Sequence, residues 1–310
     1  MSEKSLLTNI KVLLGPSSFA ELDRTPLERL GESGCEVIPN PFKRKLTKDE
    51  LLELLSNGVT GLIAGLEPLD CEVLKKSQLR IISRCGSGMS NVDIETAKKL
   101  GIKVFSTPFG PTNAVAELTI ASLPSLLREL PQVDRSMHIK KWEKRIGIEL
   151  RGKNVAIIGF GRIGQRVGNL LLAFGSNVLA IDPAYNDTHK EIRKMELHEA
   201  LKISDVVTLH SSDNTVLLGE KEFELMKDNV YILNAARGAL IDENALIKYL
   251  DIGKVSAAWL DTFSQEPYSG ALCDYPQVIL TPHIGSYTRE CRQVMEMESV
   301  ENLLRGLRGE

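Results

Sequence analysis

Between Lys153 and Asp182 the chain reads KNVAIIGFGRIGQRVGNLLLAFGSNVLAID, and few architectures accommodate that order of residue types. Residues 155–158 form an apolar run of the length of a buried parallel strand, leading directly into Gly159-Phe160-Gly161-Arg162-Ile163-Gly164. A strand that meets such a loop must turn sharply into a helix. Gly159 permits the tight turn, Gly161 lets a pyrophosphate approach the backbone, and Gly164 lets the helix press close to the sheet. Arg162 and Ile163 open that helix, whose free N–H groups and positive end would receive the phosphates. After the amphipathic run 163–174 comes Gly175 as a stop, then a second strand at 177–181 ending at Asp182. An acid there accepts hydrogen bonds from both ribose hydroxyls of an adenosine and repels a 2′-phosphate. No Arg occurs between 183 and 188, so the expected cofactor is NAD rather than NADP.

The remaining length bounds what surrounds this unit. With 310 residues the chain can form two domains, each with its own core. A formal charge of −3 and the absence of a dense basic run argue against nucleic acid or an anionic membrane as partner, and the triplet Lys43-Arg44-Lys45 reads as a solvated loop. The N-terminal segment is too short in apolar residues for a signal peptide, and no later stretch is long enough to span a bilayer. Cys35, Cys71, Cys85, Cys273 and Cys291 are scattered, odd in number and without a CxxC pair. They fit free thiols in a reducing cytoplasm, with no metal site.

From residue 10 to 104, β-rich runs at 10–14, 36–38, 61–64, 80–83 and 103–105 alternate with helical ones such as 47–56, where Thr47 and Glu50 form a capping box. Alternation of this kind predicts a parallel sheet. This part has no dinucleotide fingerprint, but a loop at a strand end, Arg84-Cys85-Gly86-Ser87-Gly88-Met89-Ser90-Asn91-Val92-Asp93, has two readings. It is a strand-to-helix connection with Asp93 as helix cap, or a backbone nest whose N–H groups hold a carboxylate beside Arg84. The helical run 113–130, broken by Pro124, is the expected crossing between domains. Residues 137–148 read as an exposed excursion in which Trp142 is better matched to a partner subunit than to solvent. Past Asp182, strands are expected at 206–209, 231–234, 255–258 and 278–280, with helices at 221–226 and 243–249. The helical run 287–307 would return to the first domain. The expected division is therefore 1–107 plus 286–310 for one domain and 108–285 for the other.

Three residues near the ends of late strands invite a chemical reading: Arg237 in Asn-Ala-Ala-Arg-Gly, Glu266 in Asp-Thr-Phe-Ser-Gln-Glu-Pro, and His283 in Thr-Pro-His-Ile-Gly. Singly, each has a structural alternative: a surface ion pair, a turn residue, a buried histidine. Together, after a dinucleotide fingerprint, they suit hydride transfer on a 2-oxo or 2-hydroxy acid, since ligands of open α/β sheets bind outside the carboxyl ends of the strands. Arginine forks the carboxylate and polarises the carbonyl, and histidine trades the proton. A carboxylate against that histidine fixes its orientation and favours its protonated form. His138, His189, His198 and His210 lack this setting and read as surface or structural, with His210 beside the cofactor.

These motifs, RCGSGMSNVD, GFGRIG, NAARG, LDTFSQEP and TPHIG, occur in an order that resembles the D-isomer-specific 2-hydroxyacid dehydrogenases, from about residue 61 to 285. The resemblance implies an α/β fold of two domains, a Rossmann dinucleotide-binding domain inserted into a smaller flavodoxin-like substrate domain. It implies Arg237, Glu266 and His283 as the catalytic trio, and Gly86, Ser87 and Gly88, with Arg84, as the substrate carboxylate and side-chain contacts. It also implies Asn113, His210, Ala235 and Asp261 along the NAD, and a homodimer joined through the nucleotide domain. Ser90 stands where the family often has Asp, and Ser211-Ser212 replaces its usual proline step. Glu266 distinguishes the chain from formate dehydrogenases, which are similar in fold and place glutamine there. Within the family the chain looks most like short phosphoglycerate dehydrogenases. Arg84 matches one of their phosphate-side arginines, whereas Gly65-Leu66-Glu67 lacks a second basic residue, and there is no room after residue 310 for the serine-binding domain of longer relatives. The expected activity is NAD-dependent interconversion of a D-2-hydroxy acid and its 2-oxo acid, 3-phosphoglycerate first. The alternatives are reduction of glyoxylate, hydroxypyruvate or another small 2-oxo acid, or a non-catalytic NAD(H)-sensing corepressor.

Overall fold

The computed structural model describes residues 7–186 and 189–309; the N-terminal segment read above against a signal peptide begins outside these described residues. The chain divides into two compact units, Met1–Pro111 with Tyr287–Glu310, and Thr112–Ser286. In the first, β1 (Lys11–Leu14), α1 (Thr25–Glu32), β2 (Glu36–Ile38), α2 (Lys48–Leu55), β3 (Val59–Ala64), α3 (Cys71–Lys76), β4 (Ile81–Arg84), α4 (Ile94–Lys99) and β5 (Lys103–Ser106) alternate. The strands form one parallel sheet in the order β2-β1-β3-β4-β5, the flavodoxin-like order. Thr47 and Glu50 close the capping box at α2, and Asp93 caps α4 through the Thr96 N–H.

The second unit opens with α5 (Pro111–Leu127), whose first residue is the last of the first unit, and α6 (Leu130–His138). It continues through β6 (Asn154–Ile158), α7 (Arg162–Ala173), β7 (Asn177–Ile181), β8 (Ile192–Lys194), α8 (Leu197–Ile203) and β9 (Val206–Leu209). Then come α9 (Glu220–Leu225), β10 (Val230–Asn234), α10 (Glu243–Asp251), β11 (Val255–Leu260) and β12 (Val278–Leu280). The sheet runs β12-β11-β10-β9-β6-β7-β8, all parallel, which is the Rossmann order extended by one strand. Alternate residues of one strand enter different cores. Ala156 and Ile158 of β6 join Leu179 and Ile181 of β7 in one cluster, while Val155 and Ile157 join Val178 and Ala180 in the other. Both faces are covered, which is why these strands read as unbroken apolar runs.

The chain re-enters the first unit as α11 (Arg289–Arg308), which packs on β3, β4, β5 and α1. Leu303 reaches Gly61 of β3, where a Cβ would lie 3.3 Å from its Cδ1. The expected single helix over 113–130 is corrected to two, because Glu129 takes a left-handed backbone (φ +50°) and restarts the helix at Leu130; Pro124 is accommodated within α5. Among the described residues no helix is long and apolar enough to cross a membrane, no cluster of ligating side chains could hold a metal, and the cysteines are free thiols.

Candidate active site

The glycine loop lies at the carboxyl end of β6. Gly159 has φ +87°, and a Cβ there would meet the backbone of His210 and Ser211; Gly164 faces the Gly159 carbonyl, leaving no room for a methyl. Gly161, the N-cap of the twelve-residue α7, differs: nothing lies within 4 Å of where its Cβ would be. Two glycines are thus required by the fold, and the third leaves open space above a helix N-terminus. Arg162 and Ile163 form the first turn of that helix. At the end of β7, Asp182 Oδ2 accepts the Phe160 N–H at 2.8 Å and Oδ1 accepts the Ala184 N–H at 2.8 Å, so the acid is fastened to the glycine loop with a second lone pair left on each oxygen. An open cradle at a helix N-terminus with an acid tied to it fits a dinucleotide.

On the other side of β6 the sheet presents three neighbouring strand ends. After β10, the buried Asn234 ties the loop by accepting the Ala236 N–H at 3.0 Å and donating to the Arg237 carbonyl at 2.8 Å. Arg237 Nη1 donates to the Ala236 carbonyl at 2.6 Å, and burial pulls its guanidinium below the ordinary range while the Glu266 charge opposes that shift. Gly238 has no space for a Cβ against Phe263 and Ser264, so the loops after β10 and β11 are pressed together. Ala235 in the first of these loops is partly buried.

After β12, His283 Nδ1 lies 2.9 Å from Glu266 Oε2 and 3.2 Å from Oε1, and Glu266 Oε1 also accepts the Phe263 N–H at 3.0 Å. A carboxylate can only accept, so Nδ1 carries the proton toward Glu266, and Nε2 remains for exchange. The histidine side chain is 41% exposed, open to a ligand, and its backbone is left-handed at φ +54°. That conformation, unfavourable for a non-glycine residue, is held by Asp261. Its carboxylate, 1% exposed, accepts Thr281 Oγ1 at 2.6 Å, the Ile284 N–H at 2.9 Å and the Gly285 N–H at 2.8 Å, and Trp259 Nε1 in turn donates to Thr281 Oγ1 at 3.0 Å. The structure therefore brings Arg237, Glu266 and His283 together at adjacent strand ends and places Asp261 under the histidine loop.

His210, after β9, is half-buried with Nε2 3.0 Å from Thr208 Oγ1 and Nδ1 without a hydrogen-bond partner; desolvation of the ring pushes its pKa down to about 4, so it is neutral at neutral pH. Asn113 is exposed on the first turn of α5, which meets the histidine loop where Val115 faces Gly285. Asn234 and Thr281 were not singled out from the sequence. The available signal was a polar residue ending or following an apolar strand within the NAARG and TPHIG motifs.

In the first unit, the loop after β4 begins with Gly86 at φ +140°, against which the Arg84 guanidinium is folded as it donates to the Cys85 carbonyl. The Gly86 N–H donates to Thr107 Oγ1 at 2.7 Å, and its carbonyl accepts the Thr107 N–H, so this residue is tied to the chain beyond β5. Ser87 and Gly88 continue the loop toward the Asp93 cap. Burial pushes the Cys85 thiol up to about 12, making it inert.

A sequence profile described as "D-isomer specific 2-hydroxyacid dehydrogenase, NAD binding domain" matches residues 120–285. A D-3-phosphoglycerate dehydrogenase of Archaeoglobus fulgidus is 36% identical over 295 residues, covering 91% of this chain, which spans about half of that relative's length (55%). A hydroxypyruvate reductase of Thermotoga maritima is 35% identical over 272 residues, covering 84% of this chain and 89% of the relative. Among solved structures, a glyoxylate reductase of Paecilomyes thermophila superposes with a TM-score of 0.88 at 30% identity, covering 97% of this chain and 96% of the other.

Proposed function

Since the chain belongs to the D-isomer-specific 2-hydroxyacid dehydrogenase family, we propose that it is an NAD(H)-dependent enzyme that reduces a small, unphosphorylated 2-oxo acid of the hydroxypyruvate or glyoxylate type to the D-2-hydroxy acid. The observation that carries the reaction class is the 2.9 Å pair of Glu266 and His283 beside Arg237 at neighbouring strand ends of a dinucleotide-binding sheet. When bound, the cofactor supplies the hydride in reduction and accepts it in oxidation. The chain binds and moves a proton. Arg237 grips the carboxylate and draws electron density from the carbonyl oxygen. His283 gives that oxygen a proton from Nε2 in reduction and takes it back in oxidation, and Glu266 stabilises the ring while it is charged. Asp182 with Gly161 holds the dinucleotide, with Asn113, Ala235 and His210 as further contacts, and Gly86, Ser87 and Gly88 hold substrate.

The choice of an unphosphorylated substrate is supported by the near full-length similarity to a hydroxypyruvate reductase. Reduction of 3-phosphohydroxypyruvate is the second reading, favoured by the similarity to D-3-phosphoglycerate dehydrogenases and by Arg84. NADH oxidation with hydroxypyruvate, glyoxylate, pyruvate and 3-phosphohydroxypyruvate decides between them. Saturable turnover with the first two is expected; preference for the phosphorylated acid establishes the second reading, and binding of NADH without turnover of any 2-oxo acid leaves a cofactor-sensing protein. His283→Ala is expected to lower turnover by about 10² or more with NADH affinity retained. Unchanged turnover would remove His283 from the mechanism. Trp142 and Ile146, 77% and 99% exposed, are the proposed homodimer surface of the nucleotide unit, and a monomer in sedimentation analysis would exclude it.

A further inference from the structure

Ser264, Gln265, Glu266 and Pro267 are exposed, so the turn that carries the Glu266 carboxylate to His283 has no buried side chain of its own to hold it. Its two ends are joined instead. The rings of Phe263 and Tyr268 stack across the base of the turn, with centroids 4.3 Å apart and planes 20° from parallel. The Phe263 N–H, at one end of this clasp, is the donor to Glu266 Oε1 at 3.0 Å. Tyr268, at the other end, is pinned to the scaffold. Its hydroxyl donates to Oε1 of Glu243, the first residue of α10, at 2.5 Å and accepts the Leu272 N–H at 3.2 Å. Gly270 gives the hydroxyl its room, since a Cβ there would stand 2.5 Å from it. Solid packing does not stand in for the clasp: Glu243, Thr262, Phe263 and Leu272 line a small pocket, and the buried Thr262 hydroxyl among them has no hydrogen-bond partner.

We propose that Tyr268, anchored by Glu243, is a positioning residue for the proton transfer: it closes the turn so that Glu266 meets His283 Nδ1, and it acts on the reaction through Glu266 alone. The inference rests on the reading of Glu266 and His283 as the proton-handling pair and deepens it. Every link lies within the nucleotide unit, from Glu243 to Tyr268, across the ring stack to Phe263, from the Phe263 N–H to Glu266, and from Glu266 Oε2 to His283 Nδ1 at 2.9 Å. Placement matters here because a reacting group displaced by about 1 Å can lose roughly 10² in rate. A turn ordered in advance presents its carboxylate without further loss of conformational freedom at each turnover. Burial, then the hydrogen bond to Glu243, push the Tyr268 phenol up to about 12, so the clasp keeps its proton throughout the neutral range. Tyr268 touches none of the reacting groups, and a clasp that served only the fold would cost the enzyme equally whether Glu266 were present or not.

The experiment is a double-mutant cycle. Reduction of hydroxypyruvate, or of whichever acid of the panel above the wild type prefers, is measured for Tyr268→Ala and Tyr268→Phe, alone and combined with Glu266→Ala. Tyr268→Ala is expected to lower kcat about tenfold or more with KM and NADH affinity within about twofold of the wild type, and Tyr268→Phe, which keeps the ring, to lower kcat about threefold. In the Glu266→Ala background each is expected to change kcat by less than about twofold. Equal losses with and without Glu266 overturn the inference, as does wild-type kcat in Tyr268→Ala. Glu243→Ala is expected to match Tyr268→Phe, and it gives the same decision through the same cycle should Tyr268→Ala not fold. The imidazole 15N shifts of His283 answer independently of turnover: a neutral ring with Nδ1–H in the wild type, lost in Tyr268→Ala as in Glu266→Ala, is expected, and its retention in Tyr268→Ala overturns the inference. Unchanged kcat in Glu266→Ala alone sinks the reading of the pair itself, a result distinct from a Glu266 that matters and a Tyr268 that does not.

Discussion

A carboxylate as enclosed as that of Asp261 is tolerated because three donors converge on it, and those donors belong to the loop that presents His283. Replacing it by asparagine keeps the shape but turns an NH2 toward N–H or O–H groups. Asp261→Asn is therefore expected to cost about 2–4 kcal/mol in urea denaturation and to depress turnover while NADH affinity is largely kept. If stability held and NADH affinity collapsed, the carboxylate would act on the cofactor and not on the loop. His210 gives a second residue-scale expectation. Its folded pKa of about 4 lies below the unfolded value near 6.5, so the unfolded chain binds more protons between these pH values. Its contribution is complete above about pH 6.5 and is lost as pH falls toward 4, roughly 3 kcal/mol in all. His210→Gln should flatten the stability profile in that window, and an unchanged slope would deny the burial effect. Arg237, Glu266 and His283 were legible in the sequence because each is a reactive type in a short motif. The supports were not: Asp261 meets Thr281, Ile284 and Gly285 across a strand connection that no local pattern announces.

Elements were readable in proportion to their burial. Strands covered on both faces, such as β6, β7 and β9, stand out as apolar runs, whereas β8 is three residues with two charges and α8 lacks a side-chain cap; α1 also lacks one, and its start is marked only by Pro26 and Glu28 in the first turn, a signal that was not read. The Glu129 turn between α5 and α6 was missed for a related reason, since a left-handed glutamate has no sequence signature comparable to glycine. The fingerprint loop separates roles that its spelling merges. Gly161→Ala is expected to leave thermal unfolding unchanged and to weaken NADH binding about tenfold or more, because the methyl enters open space needed by the ligand. Gly164→Ala, which must displace the Gly159 carbonyl, is expected to lower stability as well. Equal melting losses in both variants would refute the distinction.

For the whole molecule, alternation of strand and helix announced two parallel sheets, but strand order was not spelled out by any residue and came from which edges find cover. The first unit obtains part of its cover from α11, whose Val300, Leu303, Leu304 and Leu307 are buried. Leu303→Ala, beside Gly61, is expected to cost about 2–5 kcal/mol and to open protease sites within residues 7–111 before those of 112–286. Earlier cleavage in the second unit would contradict this assignment of the helix. The split of the first unit across both ends of the chain also has a consequence at the ribosome. Its five strands are synthesised early, yet the helix that shields β3, β4 and β5 emerges only after Thr112–Ser286 has been translated. At ordinary elongation rates that interval is roughly 10–40 s, long enough for the nascent sheet to depend on a chaperone and for the nucleotide unit to mature ahead of the segment translated before it.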